Sequence, residues 1–104
     1  MIYPVRDQKL MYYTYVIQSQ RSKRWYTGSI NDLRKRLNQH NTGKSTWTKN
    51  GTPWKLIYYK ACLDEQDARS REKYLKSGMG KRYLKNRLRR FLSLTGRIKR
   101  LLKF

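Results

Sequence analysis

Side chains able to hold a metal or move a proton are scarce in this chain, which makes elimination informative. Its acids are Asp7, Asp32, Asp64, Glu65, Asp67 and Glu72, and it has one histidine, His40. Asp7 falls in an irregular lead-in and Asp32 at the start of a first helical pattern. Asp64 caps a second helix, and Glu65 and Asp67 lie in its first turn, where negative charge suits the helix dipole. Glu72 is left over. It follows Ala68 by four residues and precedes Leu75 by three, so it shares the inward stripe of its helix rather than the solvent face. A carboxylate so placed is either paired with an arginine or bound to a metal. The chemistry that suits such parts is attack on a phosphodiester. That reaction needs an activator for the nucleophile, a cation for the developing charge and usually a metal held by carboxylate.

Cations and proton acceptors stand at matching positions. Arg36 lies beside the apolar stripe of the first helix, and His40, one turn on, points the same way. Arg34 and Lys35 read as a solvated basic face. His40 is either a helix-end histidine bonded to a backbone group or a participant in water activation. Tyr15 and Tyr26 fall on adjacent strand candidates, where tyrosines are more often core than catalytic. A free phenol, with a pKa of about 10, is a poor base at neutral pH, and only neighbouring arginine, lysine or metal favours the phenolate.

Charge supplies the substrate class. The chain has 104 residues, of which 26 are Lys or Arg and 6 are Asp or Glu, a formal net charge of +20. From Arg69 to Phe104 the one acid is Glu72, so the positive charge is concentrated toward the C-terminus. Such a field attracts polyanions and costs self-repulsion in the free protein, so a nucleic-acid partner is expected. The bland alternative is a merely basic, ribosome-associated protein. A lone cysteine, Cys62, excludes an internal disulfide framework and cannot by itself assemble a zinc site. With no long apolar run and no signal-peptide pattern, a reducing cytoplasm is the expected compartment, and membrane spanning is not expected.

The elements that must position these residues are short. Residues 11–18, dense in aromatic and β-branched side chains, predict a strand with Tyr13, Tyr15 and Ile17 on one face. Ser19 to Lys23 is a hairpin-length connection, and Arg24 to Gly28 a second, antiparallel strand. Ser29 with Asp32 resembles a weak capping box, and Ile30, Leu33 and Leu37 recur at helical spacing until Asn41-Thr42-Gly43 supplies a stop. Residues 42–53 around Trp47 read as a long loop, and Trp54 to Ala61 as a third strand. The second helix should end near Gly78, since Gly78-Met79-Gly80 promises nothing regular. A third helix follows, with Leu84, Leu88, Phe91 and Leu92 on one face. Arg97 to Phe104 would make a short amphipathic basic helix. One domain over 11–92 is expected, between a lead-in of residues 1–10 and a basic tail of residues 93–104.

Four of these elements in order resemble a known family. Tyr13-Thr14-Tyr15, then Tyr26-Thr27-Gly28, then Arg36 ten residues past Tyr26, and finally Arg71-Glu72 on a later helix are similar to the motifs of the GIY-YIG nuclease superfamily. The likeness is to its small stand-alone bacterial branch, related to the N-terminal domain of the excision nuclease of DNA repair. It runs from about Met11 to Phe91, and the stretches Asn31 to Asn41 and Ser70 to Gly78 are its most specific parts. It departs from the namesake motifs in reading Tyr-Thr-Tyr first and in having Thr27 at the centre of the second, changes that spare the tyrosines.

The resemblance implies an α+β fold, a three-stranded antiparallel sheet flanked by three or more helices. It implies a metal-dependent endonuclease, structure-selective or weakly sequence-specific, acting on DNA rather than RNA, with one divalent cation, magnesium or manganese. Glu72 would be the metal ligand, Tyr15 and Tyr26 would activate or orient the attacking water, Arg36 would steady charge on the phosphate, and His40 would assist. Candidate nucleic-acid contacts are Arg34, Lys35, Lys44, Lys49, Arg71, Lys76, Lys81, Arg82 and Asn86. Asn86 falls near an asparagine contact of related enzymes and stands opposite Leu84 and Leu88 on the third helix. The second function class is a binding module without catalysis, resting on the charge and on Trp25, Trp47 and Trp54 as surfaces for base stacking.

Overall fold

A computed structural model describes residues 11–45 and 47–94. The lead-in with Asp7, and the basic helix expected over Arg97 to Phe104, lie outside them. Compactness divides the chain between Lys73 and Tyr74.

The first unit is built on three strands, β1 (Tyr12–Ser19), β2 (Trp25–Ile30) and β3 (Trp54–Cys62), in the order β2-β1-β3 with both pairings antiparallel. The expected α+β class and antiparallel three-stranded sheet are therefore present. β1 is central, and its residues from Thr14 to Ser19 are all buried, on both faces of the sheet. On one face Tyr15 and Ile17 pack with Trp54, and Leu33 and Leu37 of α1 (Leu33–Asn41) close over them with Tyr26, Ile30 and Leu56. On the other, the Thr14 hydroxyl donates to the Ala68 carbonyl at 2.6 Å, which seats α2 (Glu65–Lys76) against the strand. A register irregularity at Val16/Ile17 shifts the pairing with β3 from Tyr58 to Leu56, the local kink that a bulge produces.

Two expectations about boundaries need correction. Ser29 and Ile30 belong to β2, and α1 begins only at Leu33, with Asp32 as its cap accepting a hydrogen bond from the Lys35 amide at 3.1 Å. Ile30 matched the helical spacing because it packs against the same core cluster as Leu33 and Leu37. The loop of residues 42–53 also holds a short 3-10 turn, Lys49–Gly51.

The second unit comprises the end of α2, then α3 (Gly78–Arg87), with residues 89–94 again helical after Leu88. Gly78-Met79-Gly80 was expected to be irregular, yet it forms the first turn of α3, capped by the Ser77 hydroxyl, which accepts from the Gly80 amide at 3.1 Å. Glycine is needed there for space, because a Cβ on Gly80 would collide with the Tyr74 carbonyl and the Leu75 Cα. Leu84 is buried, Leu88, Phe91 and Leu92 are half-buried, and Tyr74 meets Tyr83 edge-on at 6.2 Å.

Replacing Thr14 by valine keeps the shape of the side chain and removes its bond to Ala68. Thermal unfolding of Thr14→Val should show a loss of about 1 kcal/mol, the usual net worth of one intramolecular hydrogen bond.

Candidate active site

Tyr15 and Tyr26 reach the same place from neighbouring strands. Tyr15 pairs with Gly28 across the β1–β2 ladder and Ile17 pairs with Tyr26, so the two tyrosines are diagonal neighbours on one face, ring centroids 6.4 Å apart. The Tyr15 ring runs outward across Gly28. A Cβ at that glycine would fall 2.6 Å from the phenol oxygen and 2.8 Å from Cζ, so the bare backbone of β2 is what lets the ring through. Since β2 is an edge of the sheet, the Tyr15 hydroxyl arrives over its outermost strand.

α1 brings two more residues to that hydroxyl. His40 Nε2 lies 2.9 Å from the Tyr15 oxygen, and Arg36 Nε donates to the same oxygen at 3.4 Å. Their spacing of four residues puts both on one face of the helix. The second ring nitrogen, His40 Nδ1, lies 2.7 Å from the Thr48 hydroxyl, and the Tyr26 ring meets His40 edge-on at 5.0 Å. Hydrogen-bond inventory limits where the protons sit. Arg36 can only donate, and one set of roles that satisfies every group has the Tyr15 oxygen accept from it and donate to Nε2, with Nδ1–H donating to Thr48.

Electrostatics agree with that assignment. Burial, followed by the charge of Arg36, lowers the pKa of His40 from 6.5 to about 4, so the imidazole is neutral at ordinary pH. Burial also pushes the Tyr15 phenol above its ordinary value; Arg36 opposes this, while Tyr26 and Glu72 act with it. The basic surroundings expected to favour the phenolate therefore do not prevail, because the ring is 1% exposed and desolvation of a charged oxygen outweighs one guanidinium at the long end of bonding distance. The bond to Tyr15, more than any other contact, holds Arg36 protonated beyond its ordinary value, and Tyr26 adds to it.

Glu72 approaches from the opposite side of the sheet. Ser29, next to Gly28 on β2 and facing the other way, donates its hydroxyl to Glu72 Oε1 at 2.7 Å. The carboxylate is half-buried, and its charge is felt at the Tyr15 phenol. The five residues singled out by sequence thus straddle one edge strand, Tyr15, Tyr26, Arg36 and His40 on one face and Glu72 on the other. Sequence reasoning missed three supports: Gly28 as the passage for Tyr15, Ser29 as the partner of Glu72, and Thr48 as the partner of His40. Of the two readings left open for His40, a backbone partner is not the one seen, since its ring nitrogens meet the side-chain hydroxyls of Tyr15 and Thr48.

The candidate contacts for nucleic acid are more dispersed. Arg34 and Lys35 are exposed on α1, Lys44 and Lys49 are exposed on the loop after it, and Arg71 is half-buried on α2. Lys76, Lys81, Arg82 and Asn86 are exposed in the second unit. A cleft of about 900 Å³ beside α1 is lined by Tyr13, Tyr59, Arg34 and Lys35 among others, and Arg36 alone joins it to the cluster just described.

Among the described residues no group of three or more His, Cys, Asp or Glu gathers in a way that could cage a metal. One carboxylate oxygen with water completing the shell suits magnesium, which needs few protein ligands and dehydrates reluctantly. Of the residues singled out, Glu72 is the carboxylate that could hold such a hydrated cation.

Neutral His40 makes stability depend on pH. The unfolded chain takes up a proton at this histidine below about pH 6.5, whereas the folded one resists until about pH 4. Stability attributable to His40 is therefore full above pH 6.5 and falls as pH drops toward 4, by roughly 3 kcal/mol at most. Denaturant titrations between pH 7 and pH 4 should show a shallower slope of unfolding free energy against pH in His40→Gln than in the parent. Equal slopes would mean that the histidine is not held neutral.

The GIY-YIG catalytic domain matches residues 11–86. A UPF0213 protein of Clostridium perfringens is 36% identical over 67 residues, covering 64% of this chain and 71% of the relative. UPF0213 protein YazA of Bacillus subtilis is 35% identical over 66 residues, with 62% and 66% covered. A UPF0213 protein of Streptococcus agalactiae is 42% identical over 52 residues, 49% of this chain and 59% of its own length. No solved structure matches at a comparable level. With the family's domain spanning the strands, α1, α2 and nearly all of α3, the chain belongs to the GIY-YIG family.

Proposed function

We propose that this protein is a metal-dependent DNA endonuclease, structure-selective or weakly sequence-specific, whose working groups are Tyr15, Tyr26, Arg36, His40 and Glu72. The observation that carries the reading is the hydrogen-bonded chain from Arg36 through the Tyr15 hydroxyl to His40, set over an edge strand whose other face presents Glu72. The net charge of +20 favours a polyanionic substrate.

Within this reading each group has a task that its surroundings support. A water resting against the Tyr15 oxygen gives its proton to that oxygen as the phenol passes its own to His40 Nε2. The imidazole, neutral at rest, is in the form that can accept. An arriving phosphate raises the proton affinity of His40, because a nearby anion favours the imidazolium. Arg36, cationic throughout, faces the charge that builds on the phosphate oxygens. Tyr26 holds the edge of the imidazole and orients water from the second side. A divalent cation, magnesium or manganese, would be held by Glu72 and would supply charge neutralisation at the scissile phosphate. Arg34, Lys35, Lys44 and Lys49 track the phosphates in the first unit, and Lys76, Lys81, Arg82 and Asn86 are candidate phosphate contacts of the second unit taken by itself. Among the described residues no helix is long and apolar enough to cross a membrane, and with its single cysteine the protein is proposed to act in the cytoplasm.

Branched, nicked, single-stranded and linear DNA incubated with and without magnesium provides the test. The parent should cut at least one of these only with metal, and Glu72→Ala and Arg36→Ala should each lose on the order of a hundredfold or more in rate, in line with removal of a transition-state contact. Equal cutting by all three proteins would assign the activity elsewhere. Salt-sensitive binding without turnover would make the chain a binding module instead.

Gly28→Ala gives a second, geometric check. The added methyl contests the space of the Tyr15 ring, so cutting should fall by at least tenfold while DNA affinity stays within about twofold of the parent. Unchanged turnover would show that the position of the phenol is not required.

A further inference from the structure

Of the three tryptophans singled out as stacking surfaces, the structure separates one from the others. Trp54 is buried in the core, with its indole N–H donating to the Thr48 carbonyl at 2.7 Å, and Trp25 is half-buried in β2. Trp47 is 87% exposed. An indole left so open is a poor contribution to folding, since burial of a large aromatic is one of the main rewards available to a small domain.

The segment that carries Trp47 is nevertheless tied down on both sides. Thr48, its neighbour, is buried; its side chain bonds His40 Nδ1 and its carbonyl accepts from Trp54 and from the Gly51 amide at 3.0 Å. The Gly51 carbonyl in turn accepts the Ser19 hydroxyl at 2.6 Å, and the Thr48 amide donates to the Ser45 carbonyl at 3.2 Å. The backbone from which Trp47 projects is thereby fixed to the same histidine that touches Tyr15. Lys44 and Lys49, both exposed, flank it in the chain. A flat aromatic face held on an anchored loop, with cations on either side, is the arrangement that receives a base on the ring and its phosphates on the lysines.

We propose that Trp47 is a stacking platform for an unpaired DNA base next to the phosphate bound at the Tyr15–His40 cluster, so that the preferred substrate carries at least one unpaired nucleotide there. The proposal deepens the nuclease reading and rests on it for the location of the phosphate. A fully paired base has no free face to offer, so duplex DNA engages only the lysines and the cluster.

The test uses the full chain with Glu72→Gln, which prevents cutting, and reads tryptophan fluorescence and affinity. Three oligonucleotides serve: a duplex, the same duplex with one internal unpaired base, and the same again with that nucleotide made abasic. The unpaired base should quench the emission, the abasic and paired forms should not, and Trp47→Phe should abolish the quench. Trp47→Ala should weaken binding of the unpaired-base form by between about fivefold and about a hundredfold and leave duplex affinity, which doubles as a check on folding, within about twofold. Equal quenching by the abasic form, or equal losses on all three DNAs, would overturn the platform. So would a blue shift with anionic phosphatidylserine vesicles and no response to DNA, since an exposed indole between lysines also suits a bilayer surface. Turnover is read separately with Glu72 intact. Quenching without cutting sinks the nuclease reading alone, and cutting without quenching sinks the platform alone.

Discussion

Everything distinctive in the first unit converges on the oxygen of one phenol. The Tyr15 hydroxyl accepts from Arg36 and lies 2.9 Å from His40, and His40 passes the connection on to Thr48 and the loop of residues 42–53. That chain ties α1, the central strand and the loop to a single atom. It also explains why a ring 1% exposed carries a buried polar tip without penalty: every hydrogen-bonding group along it has a partner, and among the described residues no buried side-chain nitrogen or oxygen is left unsatisfied.

The arrangement separates two demands that usually conflict. Burial holds Tyr15 protonated and His40 neutral, so the cluster at rest keeps one cation, Arg36, and on the far side of β2 one anion, Glu72. Neither ionised group is fully enclosed: Arg36 and Glu72 are each half-buried. A carboxylate shut away in so small a core would cost several kcal/mol, whereas one at the rim of an edge strand keeps part of its hydration. Placing the cluster at an edge is therefore the arrangement that a domain of this size supports, since its interior is too thin to hide a charged site.

Much of this was legible in the residues themselves. The periodicity of Tyr13, Tyr15 and Ile17 and the density of β-branched and aromatic side chains identified β1 to within a residue, and the scarcity of acids isolated Glu72. Where reading failed, it failed for identifiable reasons. Ile30 matched a helical spacing because strand and helix feed one core layer, and periodicity cannot distinguish two elements that share a target. Gly78-Met79-Gly80 looked like a break because glycine propensity is a local quantity, whereas the close approach of α3 to the end of α2 is a tertiary one. Ser29 fitted a helix-capping pattern that it does not serve, and Thr48 fitted none: small hydroxyl residues are common in loops and strand ends, and only the folded arrangement decides which of them meets a histidine or a carboxylate.

The polar residues of β1 have an effect of their own. Thr14 near one end of the strand bonds α2, and Ser19 at the other end bonds the Gly51 carbonyl. Apolar residues at those positions would bury more oil, yet they would tolerate sliding. With a hydroxyl fastened at each end to a different part of the chain, a one-residue slip would strand both bonds and carry Tyr15 to the wrong side of the sheet. The strand thus behaves like a ruler pinned at its two ends, and the placement of the phenol is inherited from those pins.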